Sequence, residues 1–184
     1  VADYGTIYAI TTVDIFGNII GTGAINIADL ATLEIGGSVA STNTVFLAGN
    51  QSELVLDHSM QFSGLITGSS LGTILTLDDL IDLRDLPFNT GNMSTTVSYS
   101  SNVSTVTFIE HTQIGDTSVQ LRLSGDYTGW GWKFTDDGLG GSLVQLAPPP
   151  VFSDIINVGG ELYAFTGNKS TPGNQWTFKA AVTD

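Results

Sequence analysis

The chain has 184 residues, one domain's length with ample material for a core. Its 18 Asp plus Glu against 5 Lys plus Arg give a net charge of -13. That argues against nucleic acid or anionic lipid as the main partner, since both need clustered cations. Cysteine is absent, which excludes disulfides, thiolate metal sites and cysteine nucleophiles. Only 12% of residues are charged, and 22 are glycine. This is a short-side-chain, turn-rich composition of β type, and its 41% apolar content speaks against disorder.

The predicted elements are nearly all strands, separated by Gly, Asn, Asp and Ser turns. The first run is Gly5–Ile15. Within it, IYAITTVDIFGNII is broken by Thr12, Asp14 and Asn18, so no stretch reaches the roughly 18 apolar residues of a spanning helix. It has no basic flank and does not read as a signal peptide. Export, if it occurs, is expected to be directed by something outside this sequence. Strands follow at Ala24–Ala28, Ala31–Ile35, Thr44–Ala48, Glu53–Asp57, Phe62–Thr67 and Thr73–Leu77. Leu77–Leu86 mixes carboxylates with leucines and is the one candidate helical turn, though IDL also reads as a short strand. After Pro87 come paired patterns at Thr95–Ser100, Val103–Glu110, Ser118–Ser124, Gly131–Thr135 and Ser142–Ala147, which suggest antiparallel hairpins. The run Ala147-Pro148-Pro149-Pro150 is a stiff linker. It leaves Val151–Asp184, with strands near Phe152–Val158, Glu161–Thr166 and Gln175–Val182, as a short docking, capping or intersubunit segment.

A weak repeat runs through the first part. AINIA at Ala24–Ala28 returns as TVFLA at Thr44–Ala48, and ATLEI at Ala31–Ile35 returns as ELVLD at Glu53–Asp57. TILTL at Thr73–Leu77 continues that row. A period near twenty suits a β-solenoid, in which each coil stacks its strands on the coil below. The expected fold is therefore all-β: a parallel β-solenoid over residues 1–146 passing into antiparallel hairpins that cap it. A β-sandwich of the same short strands is the alternative.

GTGAINIADLATLEIGGSVASTNTVFLAGNQSELVLDHSMQFSGLITG, with LIDLRDL and RLSGDYTGWGWKFTDDGLGGSLVQL, resembles repeat units of long exported alphaproteobacterial surface proteins. Such units occur in adhesin-like proteins, in autotransporter-like passengers and beside type I secretion repeats. The resemblance covers Gly21 to Leu146. It implies an extracellular solenoid with a structural or adhesive role, not an enzyme. The link carrying SSLGTILTLDD is longer here than the resemblance leads one to expect.

Four constellations carry candidate chemistry. Asp78, Asp79, Asp82 and Asp85 form an oxygen-rich cluster of the kind that suits calcium. No D-x-D-x-D-G loop accompanies it, and the plainer reading is a solvated acidic turn with Leu77, Leu80, Leu83 and Leu86 inward. Asp136–Gly141 reads as a hairpin turn rather than a metal loop. Tyr127, Trp130, Trp132 and Phe134 form an aromatic set, with the last three on one strand face. That face is core, an interface with another subunit, or a platform stacking on sugar rings. Trp176 joins it as a candidate interface anchor in the tail. His58 and His111 lie in no catalytic or zinc pattern. A polysaccharide-acting solenoid would need convergent carboxylates, with Glu34, Glu53 and Asp57 as the available set. The expected function is a non-enzymatic exported surface protein that is structural or adhesive and self-assembles by strand addition at its termini. The alternative is a glycan-binding module.

Overall fold

The computed structural model describes residues 1–149 and, beyond them, the backbone of strands β16 (Asp154–Val158), β17 (Glu161–Phe165) and β18 (Trp176–Phe178). These three form a small antiparallel sheet within a unit, Pro148–Asp184, separate from Val1–Ala147. The Trp176 side chain lies outside the described residues.

The first unit is a parallel β-solenoid of about three turns that passes into antiparallel hairpins. One row of strands is β2 (Thr6–Ala9), β5 (Ala24–Ile27), β7 (Thr44–Leu47) and β9 (Leu65–Thr67), all parallel. A second row is β3 (Val13–Ile15), β6 (Thr32–Ile35), β8 (Glu53–Leu56) and β10 (Leu80–Leu83). A third, thinner face stacks Ile19 on Val39 on Phe62, and beside it β1 (Ala2–Asp3) pairs with β4 (Ile20–Gly21).

The sequence forms these rows because apolar residues alternate with polar ones along each strand, so one face turns inward. In AINI, TLEI and TVFL every second residue is buried. Stacking then joins them into ladders such as Leu33–Leu54–Ile81 and Ile35–Leu56–Leu83. The corners between strands are tight. Leu30 and Gln51, both with positive φ, turn successive coils at stacked corners. A Cβ at Gly49 would sit 2.3 Å from the backbone N and Cα of Asp29 in the coil above. Gly49→Ala is therefore expected to push two coils apart and cost about 1–3 kcal/mol, read as a lower denaturation midpoint. An unchanged midpoint would mean that the corners are not in contact.

The hairpins extend both rows. β9 pairs in parallel with β13 (Thr117–Ser124), which carries β12 (Val103–Glu110) and β11 (Met93–Ser100) antiparallel beyond it. Ser101 and Asn102, both left-handed, make the two-residue turn between β11 and β12, as a primed hairpin turn requires. β10 pairs with β15 (Ser142–Ala147), and β15 with β14 (Gly131–Asp136). The two extensions face each other across a shared core containing Val106, Phe108, Leu121 and Val144.

Four expectations are corrected. Gly5–Ile15 is two strands, because the chain turns a solenoid corner at Ile10–Thr12. Thr32, not Ala31, pairs with Glu53, a shift of one residue in the repeat. TILTL is not a strand, and Leu77–Leu86 is not helical: Leu80–Leu83 takes the place beside β8. There Ile81 and Leu83 complete the inner ladders, while Leu77 is exposed. The long link is held aside by distant groups. The Leu75 N–H donates to the Tyr127 hydroxyl (2.7 Å), and Asp79 accepts from Thr76 N–H (2.7 Å) and Ser52 N–H (3.4 Å).

Candidate functional site

The four aspartates of the acidic turn do not converge. Strand β10 sends neighbouring side chains to opposite sides, and the flanking turns take the others away. Asp78 is exposed. Asp79 is buried between Ser52 and Thr76, and burial pushes its pKa up. Asp85 caps the short 3-10 turn at Ser59–Gln61, accepting from the Ser59 N–H at 3.0 Å and from its hydroxyl. Asp82 lies on the outer side of β10, yet only 6% of it is exposed. Among the described residues, no group of three or more Asp, Glu, His or Cys side chains is placed to hold a metal ion.

Asp82 has a particular neighbourhood. The Asp136–Gly141 turn folds over it, with the Asp137 carboxylate accepting from the Leu139 N–H (2.7 Å) and the Gly141 N–H (2.9 Å). Burial first, and then the charge of Asp137, raise the Asp82 pKa from 3.8 to about 6. One oxygen of each carboxylate is buried without a hydrogen-bond partner among the described residues.

Arg84 holds the carboxylates that a solenoid hydrolase would need. It lies 3.4 Å from Glu34, 3.5 Å from Asp57 and 3.4 Å from Asp82. Glu53 is engaged by the Thr32 hydroxyl at 2.9 Å. The sequence signal for Arg84 is its place directly after the Ile81–Leu83 row, where Asp57 follows Leu56 one coil earlier. These groups form an ion-pair ladder across coils.

The aromatic set does come together, but as packed rings rather than an open platform. Tyr127 is fully buried and stacks on Trp132 at 5.8 Å, while Phe108 meets Trp132 edge-on at 5.0 Å and Phe134 at 5.9 Å. Burial pushes the Tyr127 phenol up, which keeps it neutral. Trp130, Trp132 and Phe134 are half-buried and, with Met93, Ser94, Thr95 and Val97, line a groove of about 330 Å³ between β11 and β14. The Trp132 Nε1–H and the Thr95 hydroxyl are buried without partners among the described residues.

That groove is one end of the solenoid axis. At the other end, β2 and β3 have no strand partner on their outer edges among the described residues, with half-buried Ile7, Val13 and Ile15 on their inner faces. Exposed apolar side chains crowd the first coil: Tyr4, Tyr8, Ile10, Phe16 and Ile20 are each more than half exposed.

One further arrangement was not legible in the sequence. The Ser94 hydroxyl lies 2.7 Å from His111 Nε2, and His111 Nδ1 lies 3.0 Å from Asp116. Ser94 stands near the start of β11, and His111 directly follows β12. Asp116 ends the turn into β13.

Among the described residues, no helix is long and apolar enough to cross a membrane. No family model, no curated protein and no solved structure matches this chain.

Proposed function

We propose that this chain is a structural, adhesive module of a bacterial cell surface, acting outside the cell, whose copies join head to tail through strand addition. The resemblance of Gly21–Leu146 to exported surface repeats supports the location and the role. The observation that carries the assembly is the polarity of the end strands. Through the pairings of its sheet, β11 runs in the same direction as β2 at the opposite edge, and β14 in the same direction as β3. A second copy translated along the axis thus meets each open edge with a parallel strand, as within the solenoid itself. Such a heterologous contact does not close and produces filaments.

The chemistry of the two ends is complementary. Ile7, Val13 and Ile15 at one end meet Met93, Val97 and the aromatic groove at the other. Followed through the paired registers, Thr135 shares a row with Asp14. The exposed Lys133, two residues from Thr135 on the same face, therefore comes diagonally opposite the exposed Asp14 of the next copy. On the other sheet, Ser98 shares a row with Thr6.

The test uses the absence of cysteine. Full-length Thr6→Cys and Ser98→Cys variants, one carrying a mass tag, are mixed and oxidised at concentrations where light scattering reports assembly. Adjacent strands lie about 4.8 Å apart, within disulfide range. The expected product is the mixed dimer, with each variant alone remaining uncrosslinked. Homodimers forming as fast as mixed dimers would overturn the head-to-tail joint. A wild-type chain that stays monomeric at every concentration would overturn self-assembly itself.

A further inference from the structure

The outer face of the sheet containing β11 carries chemistry that the assembly reading leaves unused. Thr95 lies in a row with the buried Phe108 and Val119, so alternation turns its neighbour Ser94 outward. The His111 N–H extends the β11–β12 ladder by donating to the Asn92 carbonyl (2.9 Å), which brings the imidazole over Ser94. The turn that follows is tied by Thr112, whose hydroxyl accepts from the Ile114 N–H (3.3 Å) and donates to the Gly115 carbonyl. It returns Asp116 to the far side of the ring.

We propose that Ser94, His111 and Asp116 form a catalytic triad for hydrolysis of short-acyl esters of polar alcohols. The tautomer follows from the partners. A carboxylate only accepts, so His111 Nδ1 carries the proton facing Asp116, and Nε2 is the acceptor for the Ser94 hydroxyl. These are the roles of nucleophile, general base and orienting carboxylate, each within hydrogen-bond reach. Beside His111 lies an open pocket of about 460 Å³ lined by Asn89, Asn92, His111, Thr112 and Gln113, while Ser94 on the other side of the ring borders the groove between β11 and β14. The Asn89 amide donates to Glu110 (3.3 Å), which leaves the Asn92 and Gln113 amides as donors of the kind that hold a developing oxyanion. With no apolar side chain among these lining residues, the pocket fits a small acyl group on a hydroxylated alcohol rather than a fatty acyl chain.

In the first step Ser94 Oγ bonds to the ester carbonyl carbon, and its proton passes to His111 Nε2. The carbon–oxygen bond to the alcohol breaks, and that proton leaves with the alcohol. In the second step water gives a proton to Nε2 and its oxygen to the acyl carbon. Ser94 Oγ leaves, recovers the proton and releases the carboxylic acid. No oxidant, reductant or metal enters the balance.

The test is hydrolysis of p-nitrophenyl acetate by the full chain, with peptide mass mapping of the acetyl adduct. Wild type is expected to exceed the buffer rate and to carry the adduct on Ser94. Ser94→Ala and His111→Gln should return the rate to that of buffer. Asp116→Asn, acting through the ring, should lower kcat with KM unchanged. Ser94 is half-buried and the other two are exposed, so melting curves serve to verify that the variants fold. A wild-type rate equal to buffer, an adduct on another residue, or a Ser94→Ala variant as fast as wild type would each overturn the proposal. None of these outcomes bears on whether the chain assembles.

Discussion

Phe108→Ala is expected to cost about 3–5 kcal/mol of folding stability. Phe108 is fully buried on β12, where the seven-stranded sheet faces β14 of the six-stranded one. Its ring is the edge-on partner of both Trp132 and Phe134. Removal leaves a cavity that the β-sheet frame on either side closes only in part, so the lost transfer free energy and the cavity term add. Two aromatic pairs go with it, each worth roughly 0.5–1.5 kcal/mol beyond burial. The measurement is a denaturant melt followed by tryptophan fluorescence. The midpoint should fall, and the native emission should shift to the red as Trp132 gains water. A midpoint within experimental error of wild type would show that the two hairpin extensions do not share one core.

Asp82→Asn is expected to stabilise the protein by about 2–3 kcal/mol near pH 7.5 and by little below pH 4. The cause is the burial of a carboxylate that ionises at a cost. Its folded pKa, about 6, lies above the ordinary 3.8, so the native state holds the proton more tightly than the unfolded chain. The stabilisation from Asp82 is therefore fully present below about pH 4 and is lost as pH rises through 6. At neutral pH the ionised group has Asp137 for a neighbour and one oxygen without a partner. Asparagine removes the charge and places either an acceptor or an N–H₂ donor against Asp137. Arg84 keeps Glu34 and Asp57 in the variant. Paired melts of both proteins at pH 4 and pH 7.5 decide the matter. An equal difference at the two pH values, or a less stable variant at pH 7.5, would remove this account of Asp82.

Much of the architecture was readable because β-structure writes its inward face into sequence at period two. AINI, TLEI and TVFL each announce two buried residues. Their spacing near twenty announces the coil, since a repeated unit can bury its apolar face only on its neighbour. The SN turn and the alternation of VSTVTFIE fixed the hairpins equally well. The aromatic set was legible as a unit, although its packing was not. Whether Trp132 stacks on Tyr127 or on a ligand depends on what the opposite sheet brings to it.

The candidate sites were far less legible. Asp78, Asp79, Asp82 and Asp85 are close in sequence and dispersed in space, because strand β10 and its flanking turns send each a different way. Ser94, His111 and Asp116 span 23 positions and meet only because a hairpin folds back on itself in one register. Arg84 reaches Glu34 fifty residues away only because coils stack.

What the sequence determined by itself is the all-β class, the solenoid period, the hairpins and which face of most strands is buried. All of these follow from local alternation and turn chemistry. The tertiary structure alone decided which of TILTL and LIDL takes the last place in the parallel row. Local spacing favoured TILTL, but Leu75 is claimed by Tyr127 and Thr76 by Asp79, while β15 pairs with Leu80–Leu83. Those partners lie up to dozens of residues away, and their hydrogen bonds outweigh a local preference worth only tenths of a kcal/mol per residue. The same long-range choice buried Asp82 and matched the polarity of the two ends.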